Sequence, residues 1–312
     1  MIADRPEQLL AVLIVEAALG YPAWLLVRIG HPVMWAGRLI AGMDRRWNHG
    51  LRARAAGVVA AIVLVVTGSA AGLAIEWVAS EGLASGWTGT VAIILIATTG
   101  LAQRSLHDHV AAVIRPLAAG DLEAARIALS GIVGRDTAVL DASGIAAAAT
   151  ETLAESFCDG IVAPAFWFLL LGLPGLFVFK CVSTADSMIG HCDARYRQFG
   201  WASARLDDAL NWLPARLAGA LICLCAGKGW RTMWRDSGNH LSPNAGWPES
   251  AMAGALGVRL GGGAAYDGEW IARQSLGEGP APGVAELNRA MAVYRRACVL
   301  LWLSVGGIAW LL

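Results

Sequence analysis

Residues 151–180 read ETLAESFCDGIVAPAFWFLLLGLPGLFVFK. The apolar run 161–179 is nearly long enough for a membrane span, which needs about 20 apolar residues. However, GLPG at 172–175 sets a helix stop beside a helix-compatible proline in its middle, and Pro164 lies near its start. Two short helices meeting in a tight turn, a re-entrant hairpin, are therefore expected. Such a hairpin keeps the acids before it and the charged stretch 186–208 on one side of a membrane, whereas an unbroken span would separate them.

The composition around this stretch sets the class. The chain has 312 residues, 56% of them hydrophobic and only 15% charged, with a mean hydropathy of +0.54, outside the range of soluble domains. Four nearly uncharged stretches at about 9–27, 55–75, 83–102 and 297–312 read as spans, the first carrying Glu16 and Pro22. The expected fold is an all-α integral membrane protein, with four or five transmembrane helices, the hairpin at 161–179 and cytoplasmic helical polar segments at 103–160 and 180–296. These form one domain over 1–312. Arg28, Arg38, Arg45, Arg46, Arg52 and Arg54 follow the first span, and the connection 76–82 holds two glutamates and no basic residue. The positive-inside rule then puts the first loop, and the long polar region after residue 102, in the cytoplasm of a cell with the chain in its inner membrane. No basic run precedes the first apolar stretch, so a cleavable signal peptide is not expected.

Other whole-chain signals are negative. The net charge is zero, with 24 basic and 24 acidic residues, and no run of like charge points to nucleic acid. Cys158, Cys181, Cys192, Cys223, Cys225 and Cys298 contain no CxxC and no zinc spacing, and read as buried thiols in a reduced compartment. The glycine-rich 257–268 matches neither a dinucleotide nor a Walker pattern. The stretch 277–283 is the one Gly/Pro-rich linker.

The charged segments carry the chemistry. Glu151, Glu155 and Asp159 recur every four residues on a helical pattern, which places three like charges on one face. Something cationic should meet them: either arginine and solvent, or magnesium and phosphate, since magnesium takes hard oxygen ligands. Asp186 lies among the hydroxyls of Ser183, Thr184 and Ser187, and is followed by Arg195 and Arg197. Arg205 can pair with Asp208 at i, i+3, and Asp207 with Asn211 at i, i+4. With only Lys180 and Lys228 as lysines, the basic character is almost all arginine, whose fork suits carboxylate and phosphate. HLSPNAGWPE at 240–249 predicts a stiff loop around Asn244, with a helix opening at Pro248 and Glu249 whose N-terminus can hold an anion, or a loop capped for its own sake. Glu16, at membrane depth, is a functional candidate or an arginine-paired residue. His107, Asp108 and His109 imitate a metal motif, but histidines two apart diverge on a helix; a polar turn is expected.

Together these segments resemble the CobD/CbiB family of membrane proteins that make adenosylcobinamide phosphate in cobalamin biosynthesis. The resemblance rests on Glu16, Gly20, Pro22 and HPV at 31–33, GRDT at 134–137, ETLAES and DGIVAPAFW within 151–167, the pattern of Thr184, Asp186 to Met188 and Gly190, RY to PARL at 195–217, and SPNAGWPE with AMAGALGVRLGG at 242–262. Departures fall at Tyr21, Ser156, Ser183 and His191, where the family usually has Asp, Asn, Asn and Tyr. The resemblance implies an acid–amine ligase in a lipid bilayer. A propionate of adenosylcobyric acid would be joined to aminopropanol phosphate, or to the free amino alcohol or an ethanolamine analogue, with ATP as the energy source and Mg2+ as its cofactor. Such a route needs metal ligands, cationic clamps and a base. By that chemistry Glu151, Glu155, Asp159 and Asp186 fit the metal, and Arg135, Arg195, Arg197, Arg205, Asn211 and Asn244 fit phosphate or propionate. Asp208 or Glu249 fits the base. The alternative is a non-catalytic membrane carrier or regulatory protein sharing the fold; the sequence leaves a partner subunit open.

Overall fold

The computed structural model describes residues 4–81, 86–191, 193–266 and 268–312; the start of the expected span 83–102 and Cys192 fall outside them. In chain order the helices are α1 (Arg5–Leu19), α2 (Ala23–Ile29), α3 (Pro32–Trp47), α4 (Ala53–Glu81), α5 (Trp87–Thr98), α6 (Gln103–Ala118), α7 (Leu122–Ser130), α8 (Ala142–Phe157), α9 (Ala163–Leu171), α10 (Leu173–Ile189), α11 (Trp201–Ala226), α12 (Trp230–Asp236), α13 (Gly246–Leu256) and α14 (Val284–Leu311). Four short strands, β1 (Leu260–Gly261), β2 (Ala264–Tyr266), β3 (Glu269–Ile271) and β4 (Ser275–Leu276), pair antiparallel as β1 with β4 and β2 with β3.

Among the described residues five helical stretches are long and apolar enough to cross a membrane: Gly50–Glu81, Trp87–Ala118, Ala142–Leu171, Trp201–Ala226 and Val284–Leu311. α4 leaves Val58, Val59, Ile62, Val66 and Leu73 exposed, a face that water penalises and lipid accepts. The chain is thus an all-α, multi-pass membrane protein. Three details differ from expectation. The stretch 9–27 is not one helix: α1 ends at Gly20 (φ 60°), Pro22 follows, and the chain bends by 98° before continuing. Two further long apolar helices differ: Trp201–Ala226 lies in a segment read as polar, and Ala142–Leu171 runs from such a segment into the first arm of the hairpin. Each gathers its charges into a few turns, leaving the rest of the helix clear. His107 to His109 lie on α6 rather than in a turn, with Asp108 on Arg104 at 2.8 Å and the His109 ring on the Ser105 carbonyl at 2.7 Å.

The chain divides into two compact units. The first comprises 1–102, 163–211 and 305–312. Its helical hairpin breaks where the sequence predicts, at Gly172 (φ 70°), but its arms extend beyond 161–179. α9 continues from α8 through a π turn (Cys158–Val162), and α10 runs to Ile189, about 25 Å at 1.5 Å per residue. Both helix ends at the break are satisfied: the Leu173 amide donates to Glu76 Oε1 at 2.8 Å, and Arg5 Nη1 donates to the Leu170 carbonyl at 2.6 Å. α10 runs antiparallel to α4, whose Gly72 faces Pro174, Gly68 faces Phe177 and Val178, and Gly57 faces Phe199. Gly68 and Gly72 form a GxxxG pair, which lets backbones approach where lipid offers no hydrophobic drive. Ile40, Met43, Ala60, Leu64, Ala185, Ile189 and Phe199 close the core beside it.

The second unit comprises 103–162 and 212–304. Here α13 packs on α12 and α8, and the glycine-rich 257–268 enters the two strand pairs. The expected linker 277–283 is pinned. Asp236 Oδ2 accepts the Gly277 amide at 2.7 Å, Arg235 bridges Asp236 (2.6 Å) and Glu278 (2.5 Å), and Pro280 and Pro282 carbonyls accept Arg259 N–H and Ser143 Oγ at 3.0 Å each. Among the described residues no cysteine pairs in a disulfide.

Candidate functional site

Asp141 caps α8, its carboxylate accepting the Gly144 amide at 2.7 Å. Along the helix Glu151 is buried and Glu155 exposed, and Asp159 is half-buried in the π turn, a feature frequent at functional sites. The cation that the stripe required is Arg135, whose Nη2 donates to Glu151 Oε2, while Oε1 accepts the Gly261 amide at 2.8 Å. Next to it, the Asp136 amide donates to the Ala265 carbonyl (2.9 Å) and Asp136 Oδ2 accepts the Gly268 amide (2.8 Å). GRDT is thus a clasp between α8 and the β2–β3 pair. Both oxygens of Glu151 are committed within the protein. Among the described residues no three Asp, Glu, His or Cys side chains gather closely enough to cage a metal.

The SPNAGWPE loop is self-capped. Ser242 Oγ accepts the amides of Asn244 (3.2 Å) and Ala245 (3.3 Å), and the Trp247 amide donates to the Asn244 carbonyl (3.0 Å). α13 starts at Gly246, two residues before the expected Pro248. Those amides therefore do not point at an anion, as the sequence had suggested. Cations stand there instead: Arg216 lies over the rings of Trp212 (4.4 Å) and Trp247 (4.5 Å), with Nη1 3.4 Å from Asn244 Oδ1.

Glu249, 4% exposed, faces His240 Nε2 at 3.6 Å. The Ser242 amide donates to His240 Nδ1 at 2.9 Å, which leaves the ring proton on Nε2, towards the carboxyl. Burial pushes Glu249 well above the usual carboxylate range; Glu155 and Glu151 add to this, and Arg135 and Arg273 oppose it. Burial lowers His240. A carboxyl able to hold its proton beside a neutral imidazole is an acid–base pair whose two pKa values burial brings towards each other.

The remaining predicted residues lie in the first unit. Arg195 is spent on Asp44 (2.7 Å), tying its segment to α3, and Arg197 is exposed. Both pairs foreseen on α11 form: Arg205 with Asp208 at 3.1 Å and Asn211 with Asp207 at 3.0 Å. Asp186 on α10 interacts electrostatically with Asp207 and Asp208. Sequence reasoning named no role for His240, Arg216 and Arg273 in the second unit, and in the first it read Asp207 only as the partner of Asn211. The first two lay inside quoted motifs; nothing local marked Arg273.

A family model described as CobD/Cbib protein matches residues 9–294. The chain is 48% identical over 302 residues to "Cobalamin biosynthesis protein CobD" of Rhodobacter capsulatus, covering 95% of this chain and 94% of the relative. The Brucella anthropi protein of the same name is 46% identical over 272 residues (83% and 82%), and that of Rhizobium meliloti 38% over 318 residues (96% of each). No solved structure matches.

Proposed function

We propose, from the premise that this chain belongs to the CobD/CbiB protein family, that it acts in cobalamin biosynthesis as an amide-forming ligase. Its site faces the cytoplasm from the inner membrane. The reaction joins a propionate carboxyl of adenosylcobyric acid to the amine of aminopropanol phosphate or a related amino alcohol. ATP transfers its γ-phosphoryl to the carboxylate, the amine attacks the acyl phosphate, and amide, ADP and phosphate leave.

The observation that carries this reading is the buried Glu249–His240 pair at 3.6 Å, in the electrostatic field of Arg135 and Arg273. An incoming ammonium must lose a proton before it can attack, and a carboxylate whose proton affinity burial has raised takes it more effectively than an ordinary one. Arg135 and Arg273 favour the anionic form of that carboxylate and of any phosphate brought near. Magnesium arriving on ATP is part of the substrate. It keeps several waters and needs one or two carboxylates from the protein, a demand that Glu155 and Asp159 on successive turns would meet.

A carrier is the second reading, favoured by Glu16, 3% exposed on α1 just before the Gly20–Pro22 break. Purified membranes given adenosylcobyric acid should consume it only with ATP and an amino alcohol together. Consumption without ATP overturns the ligase, and corrinoid movement across vesicles without amide formation supports the carrier.

A further inference from the structure

We propose that Asp207, Ser203 and Asp186 in the first unit form a receptor for a primary ammonium group. Ser203 and Asp207 stand one turn apart on α11 and so share a face. Ser203 is 1% exposed and its Oγ has no hydrogen-bond partner. Asp207 Oδ2 accepts from Asn211, but Oδ1 is buried and has no hydrogen-bond partner either. Elsewhere the same chemistry is satisfied at once: Thr184 and Ser187 on α10 donate back to the carbonyls four residues earlier, at 2.6 and 3.0 Å. Two buried oxygens left open side by side are costly in the absence of a ligand.

The surroundings select a cation. Asp186 and Asp208 both repel Asp207, and Lys180 is the cation that acts on it. Any side chain at Gly190 would collide with Asp186 Oδ1, so glycine there keeps the carboxylate's place. A bare divalent ion would need oxygens within about 2.0–2.6 Å of one point, and these carboxylates do not converge that closely among the described residues. An ammonium presents three N–H donors and is satisfied by acceptors at about 2.7–3.2 Å. Asp207 Oδ1 and Ser203 Oγ would be two such acceptors, and Asp186, which acts electrostatically on Asp207, the third. The receptor rests on the unpaired oxygens of the first unit alone and does not depend on the proposed function.

The test is calorimetric titration of the detergent-purified full chain at pH 7 with 1-amino-2-propanol hydrochloride, with 1,2-propanediol and MgCl2 as separate arms. The amine should bind and the diol should not. Asp207→Asn should weaken binding about tenfold or more and Ser203→Ala several-fold, with melting temperatures equal to or above wild type, because the first removes a buried charge and the second an unsatisfied buried hydroxyl. Equal amine affinity in wild type and both variants overturns the receptor, as does a melting temperature that falls in step with affinity. Displacement of the amine by Mg2+ overturns it in favour of a metal site. Because binding is read without turnover, loss of binding in Asp207→Asn alongside a wild-type chain that makes no amide keeps the receptor and rejects the ligase.

Discussion

Glu249 and His240 carry opposite burdens of the same burial, and this makes the pair testable by stability as well as by turnover. An unfolded glutamate titrates near 4.3, and the folded Glu249 titrates well above that. Between those two values the folded chain holds a proton that the unfolded chain has lost. Stability is therefore fully supported below about pH 4.3 and declines as pH rises, by up to about 1.4 kcal/mol per unit inside the window. Glu249→Gln keeps the neutral form at every pH. Its melting temperature relative to wild type should climb as pH is raised from 5; parallel melting curves across that range would reject a protonated Glu249. Arg135 makes a second residue-scale case, because it neutralises a glutamate that is 5% exposed. Arg135→Gln should cost about 3–5 kcal/mol, the price of stranding a buried charge, whereas the double change Arg135→Met with Glu151→Met should recover most of it. Thermal unfolding of the three proteins checks this, and additive losses would mean that the two residues act separately.

At the scale of elements, the contact of α4 with α10 depends on missing side chains. A Cβ at Gly72 would sit inside the backbone of Pro174, one at Gly68 would meet Val178 N and Phe177 C at 3.0 and 3.1 Å, and one at Gly42 on α3 meets nothing within 4 Å. Gly72→Ala should therefore destabilise at the top of the overpacking range of about 1–3 kcal/mol, Gly68→Ala near its bottom, and Gly42→Ala not at all, since alanine is the better helix former. The order of the three melting temperatures is the measurement, and a most harmful Gly42→Ala would refute the packing. The hairpin break follows a different rule. Gly172 supplies the positive φ locally, but Glu76 and Arg5, which cap the two helix ends at the break, come from distant parts of the chain.

For the whole molecule, antiparallel α4 and α10 give a topology that can be read by labelling. If the arginine-rich start of α4 is cytoplasmic, single cysteines at Val78 and Leu171 in an otherwise cysteine-free chain should react with an impermeant thiol reagent from the outer face. Cysteines at Arg52 and Ala194 should be shielded; labelling of all four from one face would show that α10 does not return across the bilayer. The sequence by itself determined the membrane class, the helix break at 172, and the Arg205–Asp208 and Asp207–Asn211 pairs. Each follows from composition or from spacings of three and four residues, which a helix turns into contacts without help. The same local logic overreached at 9–27, where hydropathy is blind to the backbone bend at Gly20, and in the polar segments, where clustered charge concealed the apolar helix 201–226 and the start of 142–171. Only the tertiary structure decided that Arg135 answers Glu151, that Gly261 completes it, that His240 faces Glu249, and that Arg216 lies between two tryptophans. Those partners come from different elements, and burial, which sets their protonation and strength, exists only once the elements have packed.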